Sequence, residues 1–466
     1  MRYREEHDYL GDVAVPYDAY WGAQTQRAID NFPISGIKPI KEYTYAIILI
    51  KKAAAEANYQ AGLISRKISR AIVRAADEAL AGNLDDQFVV DIYQAGEGTS
   101  NNMNVNEVLA NRAIELLGGN KGDYSLVHPN DHVNMGQSSN DVIPTAIKIA
   151  AMKLVPDLLS SMSMLSKEFA LKGKQFDSVI KSGRTHMMDA APIRLGQEFM
   201  AWSDLLNESI KRIDSAAKSL LDINLGATAV GTGVNADPIY TKTAIIKLSS
   251  YTGLKLRKAT DLPAVTESPS DLMALSSALR IFSADMTKIS NDIRLMNSGP
   301  ITGLAEITLP AVQPGSSIMP GKVNPSVIEM MNMVCFRVIG DDDTVTLATQ
   351  AGQLELNVME PLIAYCLLHD LKILRNAIDV FTERAIKGLK VNKRKMESIA
   401  YHDPGMALLL NPYIGYEKAA RLVKKAVAEN KSIKEVANES GLLDKKLIDK
   451  IFDPYSLTTP KRLKRR

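Results

Sequence analysis

The chain has 466 residues, 46% hydrophobic and 23% charged, which is too long for one small core and ordinary for a water-exposed globular protein. A formal net charge of +3 gives no global electrostatic case for a nucleic-acid partner. The two cysteines, Cys335 and Cys366, sit among apolar residues and supply neither a disulfide framework nor a metal cluster.

The start, Met1-Arg2-Tyr3-Arg4-Glu5-Glu6, is charged and has no apolar signal core. No segment approaches the ~18 uninterrupted apolar residues of a membrane span, so a cytoplasmic protein with no membrane partner is expected. Val13, Val15 and Tyr17 alternate after Gly11-Asp12 and predict a short hairpin strand. Helices are predicted around 41–60 and 66–82. From Ile147 the apolar residues Ala151, Leu154, Leu158, Met162, Leu165 and Phe169 step by three or four. Pro156 inside that run predicts a kink, not an end. Further long helical patterns cover Trp202 to Leu220, Asp271 to Asn297, Pro325 past Val338, and Pro361 to Lys387. Five such segments in one region predict a mainly α protein built on an elongated helical bundle. Leu354, Leu356, Val358, Met359, Leu362 and Ile363 read as a helix apolar nearly all round, which must be buried on every side. Its cover is either the chain's own bundle or neighbouring subunits. Beyond 393 the helices shorten between the turn residues Asp403-Pro404-Gly405, Asn411-Pro412 and Asp453-Pro454. The expected division is a mixed, mostly helical segment 1–138, a central long-helix segment 139–393 and a small helical segment 394–466. The final run, Lys461-Arg462-Leu463-Lys464-Arg465-Arg466, reads as a solvated tail.

Four stretches hold more small polar residues than a core tolerates. They are Gly98-Thr99-Ser100-Asn101-Asn102-Met103-Asn104, Gln137-Ser138-Ser139-Asn140-Asp141, Gly183-Arg184-Thr185-His186, and Gly315-Ser316-Ser317-Ile318-Met319-Pro320-Gly321-Lys322-Val323-Asn324-Pro325. Any one alone is accounted for by capping and turn chemistry; four together suggest a polar ligand. In the last stretch, Gly315 and Gly321 bracket hydroxyl and N–H donors, the Lys322 cation and the Asn324 amide. Such groups suit a substrate carboxylate that gains negative charge. His186, read as lying near a helix start, is a candidate catalytic group, with Glu329 as the partner that favours its imidazolium. His128 and His132 are four apart, but no Glu-x-x-His or cysteine set accompanies them, so no metal is expected. Walker-type and Gly-x-Gly-x-x-Gly phosphate loops are absent.

The motif at 315–325 resembles the signature of the fumarase/aspartase superfamily, and the resemblance runs from Tyr20-Trp21-Gly22-Ala23-Gln24-Thr25 to Asn411-Pro412-Tyr413-Ile414-Gly415-Tyr416. It implies a three-domain, largely helical fold whose central bundles join in a homotetrameric core, with each active site assembled from three subunits. It also implies anti-elimination from a small dicarboxylate or amino-acid substrate to give fumarate, with no metal or organic cofactor. By motif, Ser316 matches the catalytic base. Lys322 and Asn324 match substrate-carboxylate and loop contacts. Thr99, Ser138, Ser139, Asn140, Thr185 and His186 match substrate-binding positions, and Glu329 matches the acidic partner of that histidine. His128, Asn130 and Asp131 resemble the second anion site of fumarases.

The leaving group is read from a mosaic. Gly98 to Asn104, Gly226 to Pro238, Gly352 to Pro361 and Asn31-Phe32-Pro33-Ile34-Ser35 resemble aspartate ammonia-lyases. Tyr20 to Thr25, Gln137 to Asp141 and His128-Pro129-Asn130-Asp131 resemble class II fumarases. Ammonia is the favoured leaving group and water the alternative. The superfamily also contains non-catalytic lens proteins, but the intact signature loop argues against that use.

Overall fold

The computed structural model describes residues 2–460 and is dominated by helices. The basic run at 461–466 lies outside the described residues. The described residues gather into two compact units, each drawn from three stretches: 2–159, 211–283 and 336–375 in the first, and 160–210, 284–335 and 376–460 in the second.

The first unit opens with the antiparallel hairpin Tyr3–Asp8 and Gly11–Pro16, in register from Tyr3 opposite Pro16 to Asp8 opposite Gly11. The helix Lys41–Gln60 follows; its run Ala53, Ala54, Ala55 and Ala57 is fully buried. These methyl-sized side chains let it pack closely against the helices Arg66–Leu80 and Pro238–Thr252. Arg66–Leu80 starts where Ser65 accepts from the Ile68 N–H, an ordinary N-cap. The helix Thr99–Leu116 is buried almost all round, asparagines included.

The second unit contains the hairpin Ile180–Thr185 and Met188–Arg194, with an irregularity between Ser182 and Arg184. In the same unit Phe169, Phe176, Phe199 and Trp202 pack together, edge to face except for the tilted pair Phe199 and Trp202, with centroids 4.7–6.0 Å apart. A separate apolar cluster, including Leu410, Ile433, Val436, Ile448 and Phe452, holds the short C-terminal helices. One of these carries a full capping box between Ser432 and Glu435.

The long helices are Ser139–Gln175, Leu195–Ser219, Ser270–Met296, Ser326–Gln350 and Glu360–Phe381. The first continues through both Pro144 and Pro156, so neither ends it. On Ser326–Gln350, Met333, Phe336 and Leu347 stay exposed, an apolar surface of the kind that marks interaction sites. The segment expected to be helical across Leu354 to Met359 is instead a loop, with Leu354 at φ 53° and 84% exposed. The cause is Asn357, fully buried, whose Nδ2 donates to the carbonyls of Ala348 and Thr349 and so closes the preceding helix. Among the described residues, no helix is long and apolar enough to cross a membrane.

Candidate active site

The predicted site residues fall into two groups, one in each compact unit. In the first unit, two helices begin at the same point. Thr99 is the first residue of Thr99–Leu116, Ser139 the first of Ser139–Gln175, and the Thr99 hydroxyl donates to Ser139 Oγ at 3.0 Å. Each helix start leaves backbone N–H groups without an intrahelical acceptor and carries the positive end of the helix dipole. Two such ends with hydroxyls between them form a ready receptor for a carboxylate. Asn102 Nδ2 also donates to Ser139 Oγ, at 3.1 Å. Asn140 is held at both ends: its N–H donates to Ser138 Oγ and its Nδ2 to the Ala229 carbonyl at 2.7 Å.

Beneath these residues lie two buried charges. Asp141 accepts from the backbone N–H groups of Ser138, Gly226 and Thr228, each at 3.0 Å. Those bonds favour its charged form, but burial outweighs them and lifts its pKa to about 6. Lys51 donates to Asn134 Oδ1 at 2.8 Å and Gln137 Oε1 at 2.9 Å. Burial depresses its pKa to about 7, opposed by the attraction of Asp141. Lys51 and Asn134 were missed from sequence. The available signal was the lysine pair Lys51-Lys52 directly after the apolar run Ala46-Ile47-Ile48-Leu49-Ile50.

In the second unit, His186 is not near a helix start. It forms the tip of the hairpin, with φ 56° at His186 and 62° at Met187. Both ring and neighbours are exposed. Arg184, next to Thr185, reaches back to Glu306 Oε1 at 2.7 Å. Glu306 is 1% exposed and also pairs with Lys181 at 2.9 Å. Lys181 in turn pairs with Glu198 at 3.1 Å. This buried ion cluster anchors the hairpin from below, and sequence reading did not find it.

The signature loop is tied into a ring. The Gly315 N–H donates to the Lys322 carbonyl at 2.7 Å and Asn324 Nδ2 donates to the Gly315 carbonyl at 2.6 Å. A side chain at Gly315 would meet the Asn324 backbone nitrogen at 2.6 Å, and Gly321 sits at φ +80°, so close approach demands one glycine and conformation the other. Asn324 Nδ2 thus takes part in the loop's own closure. Inside the ring, Ser316 Oγ accepts from the N–H groups of Ile318 at 3.2 Å and Met319 at 2.9 Å. Donors aimed at a hydroxyl oxygen stabilise its deprotonated form. The Lys322 side chain is exposed. Glu329 is exposed in the first turn of Ser326–Gln350, and no ion pair joins it to His186 within the described residues of one chain.

The candidate second anion site is a single π-helical turn, Pro129–Val133. His128 Nδ1 accepts from the N–H groups of Asn130 and Asp131 at 3.1 and 3.2 Å. The adjoining cavity, about 420 Å³, is lined by His128, Asn130, Gln24, Tyr124, Asp8 and Glu107 among others. Burial pushes Glu107 up to about 7.

A family model described as lyase matches residues 11–340, and one described as fumarase C C-terminus matches residues 409–459. An aspartate ammonia-lyase of Bacillus subtilis is 48% identical over 458 residues, covering 98% of this chain and 96% of that protein. The crystal structure of a fumarate lyase:delta crystallin from Brucella melitensis, bound to cobalt, superposes with a TM-score of 0.95 at 43% identity, covering 98% of this chain and 100% of the other. A class II fumarase from Schistosoma mansoni superposes with a TM-score of 0.92 at 38% identity, covering 97% and 98%. The mainly α fold, the signature loop and full-length agreement with these proteins lead to one conclusion: the chain belongs to the fumarase/aspartase superfamily of lyases.

Proposed function

We propose that this lyase is an aspartate ammonia-lyase, converting L-aspartate to fumarate and ammonia. The observation that carries the chemistry is Ser316 Oγ, held as acceptor by two backbone N–H groups in a loop closed by Gly315, Lys322 and Asn324. The near full-length likeness to proteins called aspartate ammonia-lyase supports the choice of substrate. The difficulty in the reaction is acidity, because a C–H beside a carboxylate is a very weak acid. In this reading Ser316 removes that proton, and its electron pair moves onto the carboxylate as an enediolate-like dianion. The dianion then collapses, the C–N bond breaks, and fumarate and ammonia form.

Each proposed role follows from local chemistry. The paired helix starts at Thr99 and Ser139, with Ser138 and Asn140, receive one substrate carboxylate. Lys322 neutralises charge as it develops, and Thr185 and His186 present donors from the hairpin tip. Glu329 acts on His186 of another subunit, since one chain does not pair them. The exposed apolar residues Met333, Phe336 and Leu347 support burial against neighbours, in a homotetramer with sites shared by three subunits. Divided as 1–138, 139–393 and 394–466, the chain would supply different walls of each site. Cytoplasmic location and freedom from any cofactor in the elimination belong to the same proposal, as does the turn at His128, Asn130 and Asp131 as a second anion site.

A second reading, hydration of fumarate to malate, is favoured by Ser139 and by the likeness to a class II fumarase. It needs an acid to protonate a leaving hydroxide, whereas ammonia departs unaided from an aminated carbon. Ser316→Ala tests the shared chemistry: turnover of L-aspartate should fall by about 10²–10⁴-fold while fumarate still binds. Retained turnover removes the serine from its role.

A further inference from the structure

Outside the residues assigned above, the chain brings three ligand-type side chains together in its first unit. Asp341, on helix Ser326–Gln350, lies beside His369 and Asp370, on helix Glu360–Phe381, and one ligand atom from each falls within 4.8 Å of the others. The sequence expectation of no metal did not see them, because 27 residues of helix and loop separate Asp341 from His369.

We propose that Asp341, His369 and Asp370 form a site for a borderline divalent transition ion of the zinc and cobalt class, clamping the two helices together. Two orphaned atoms support it. Asp370 is 1% exposed and its Oδ1 has no hydrogen-bond partner; His369 Nδ1 is likewise buried and unpartnered. Buried polar atoms are nearly always satisfied, so two unpartnered atoms on two residues of one cluster call for a donor or a cation.

The charges point the same way. Arg337 Nε donates to Asp341 Oδ2 at 2.6 Å and compensates one carboxylate. Asp342 is served separately, by Ser276 at 2.7 Å and by Arg280. Asp370 has no cation of its own and shares a side-chain hydrogen bond with Asp341; a divalent ion would take the place of the proton between them. Tyr365 stacks on the His369 ring with centroids 5.6 Å apart, fixing the plane that the ion would meet. Among the described residues, the side chains whose ligand atoms converge here are Asp341, His369 and Asp370, so the set is two oxygens and one nitrogen. Imidazole with carboxylates suits zinc or cobalt better than magnesium or calcium, which prefer oxygen alone. Zinc–ligand distances of about 2.0–2.2 Å are reached by small rotations of side chains already this close. Water completes the shell.

The test uses the full chain after EDTA treatment and dialysis, titrated with cobalt(II) chloride by calorimetry and visible absorption. The expected result is one Co²⁺ per chain, ligand-field bands of a nitrogen–oxygen site, displacement by Zn²⁺, at least ten-fold weaker binding of Mg²⁺, and a raised melting temperature. Asp370→Asn and His369→Gln should each weaken Co²⁺ binding by at least ten-fold with the helical circular dichroism unchanged. The turnover of EDTA-treated enzyme should not change, which separates this site from the elimination chemistry. Absence of stoichiometric Co²⁺ and Zn²⁺ binding by the wild-type chain overturns the proposal; then the two carboxylates share a proton instead. Binding that survives both substitutions overturns it too.

Discussion

Replacing Gly315 with alanine probes the signature loop at its tightest point. The new Cβ would lie 2.6 Å from the Asn324 nitrogen, 2.8 Å from the Lys322 carbonyl oxygen and 3.0 Å from Asn324 Cγ. All are well inside the about 3.5–4.0 Å of favourable carbon contacts. Two of these atoms are backbone, so relief means opening the ring. That breaks the Gly315 N–H bond to Lys322 and the Asn324 bond to Gly315, at 2.7 and 2.6 Å. At about 1 kcal/mol each, the closed loop loses about 2 kcal/mol, or about thirty-fold in kcat/KM. Most of 316–323 is exposed, so the melting temperature should move by less than about 2 °C. Gly321→Ala is the internal control. It meets no atom within 4 Å but must hold φ +80°, a strain of about 1 kcal/mol, and should cost about five-fold. The assay is initial-rate formation of fumarate from L-aspartate, with a thermal melt of each variant. A Gly315→Ala enzyme with wild-type kcat/KM would refute the claim that this closed ring is the working form.

Glu306→Gln should destabilise the second unit by about 3 kcal/mol, because Lys181 and Arg184 lose a shared buried carboxylate; a thermal melt indistinguishable from wild type contradicts this. The same variant should raise KM, since Arg184 directly precedes Thr185 and His186 on the hairpin. Lys51 gives a pH prediction. Its folded pKa of about 7 lies below the ordinary 10.5, so the unfolded chain binds the extra proton between those values. Its contribution therefore makes stability rise with pH from 7 towards 10.5, by at most about 1.4 kcal/mol per unit, and Lys51→Met should flatten that rise. Denaturant melts of both proteins at pH 7, 8 and 9 measure it, and parallel profiles would contradict the assignment.

Periodicity carried most of the helical architecture because long helices with one buried stripe write their spacing directly into the chain. The helix expected at 41–60 is Lys41–Gln60, and that expected at 66–82 ends at Leu80. It failed at Leu354 to Met359, where an apolar run is overruled by one buried amide, Asn357, capping the helix before it. His186 was misplaced for a related reason: a two-residue turn with positive φ at a histidine and a methionine lacks the glycine or asparagine that announces such turns. The site motifs were legible as clusters of small polar residues. Their supports were not, because Lys51 meets Asn134 and Gln137 across more than 80 residues, and Arg184 meets Glu306 across 122. Only folding makes those pairs neighbours.

The central claim is elimination of ammonia by a loop-borne serine, and the leaving group tests it most directly. Purified enzyme is given L-aspartate or L-malate separately, with fumarate followed by its double-bond absorbance and ammonia measured in parallel. The account predicts fumarate and ammonia in equal amounts from L-aspartate, and no fumarate from L-malate. Consumption of L-malate with L-aspartate untouched would contradict it and make the enzyme a hydratase.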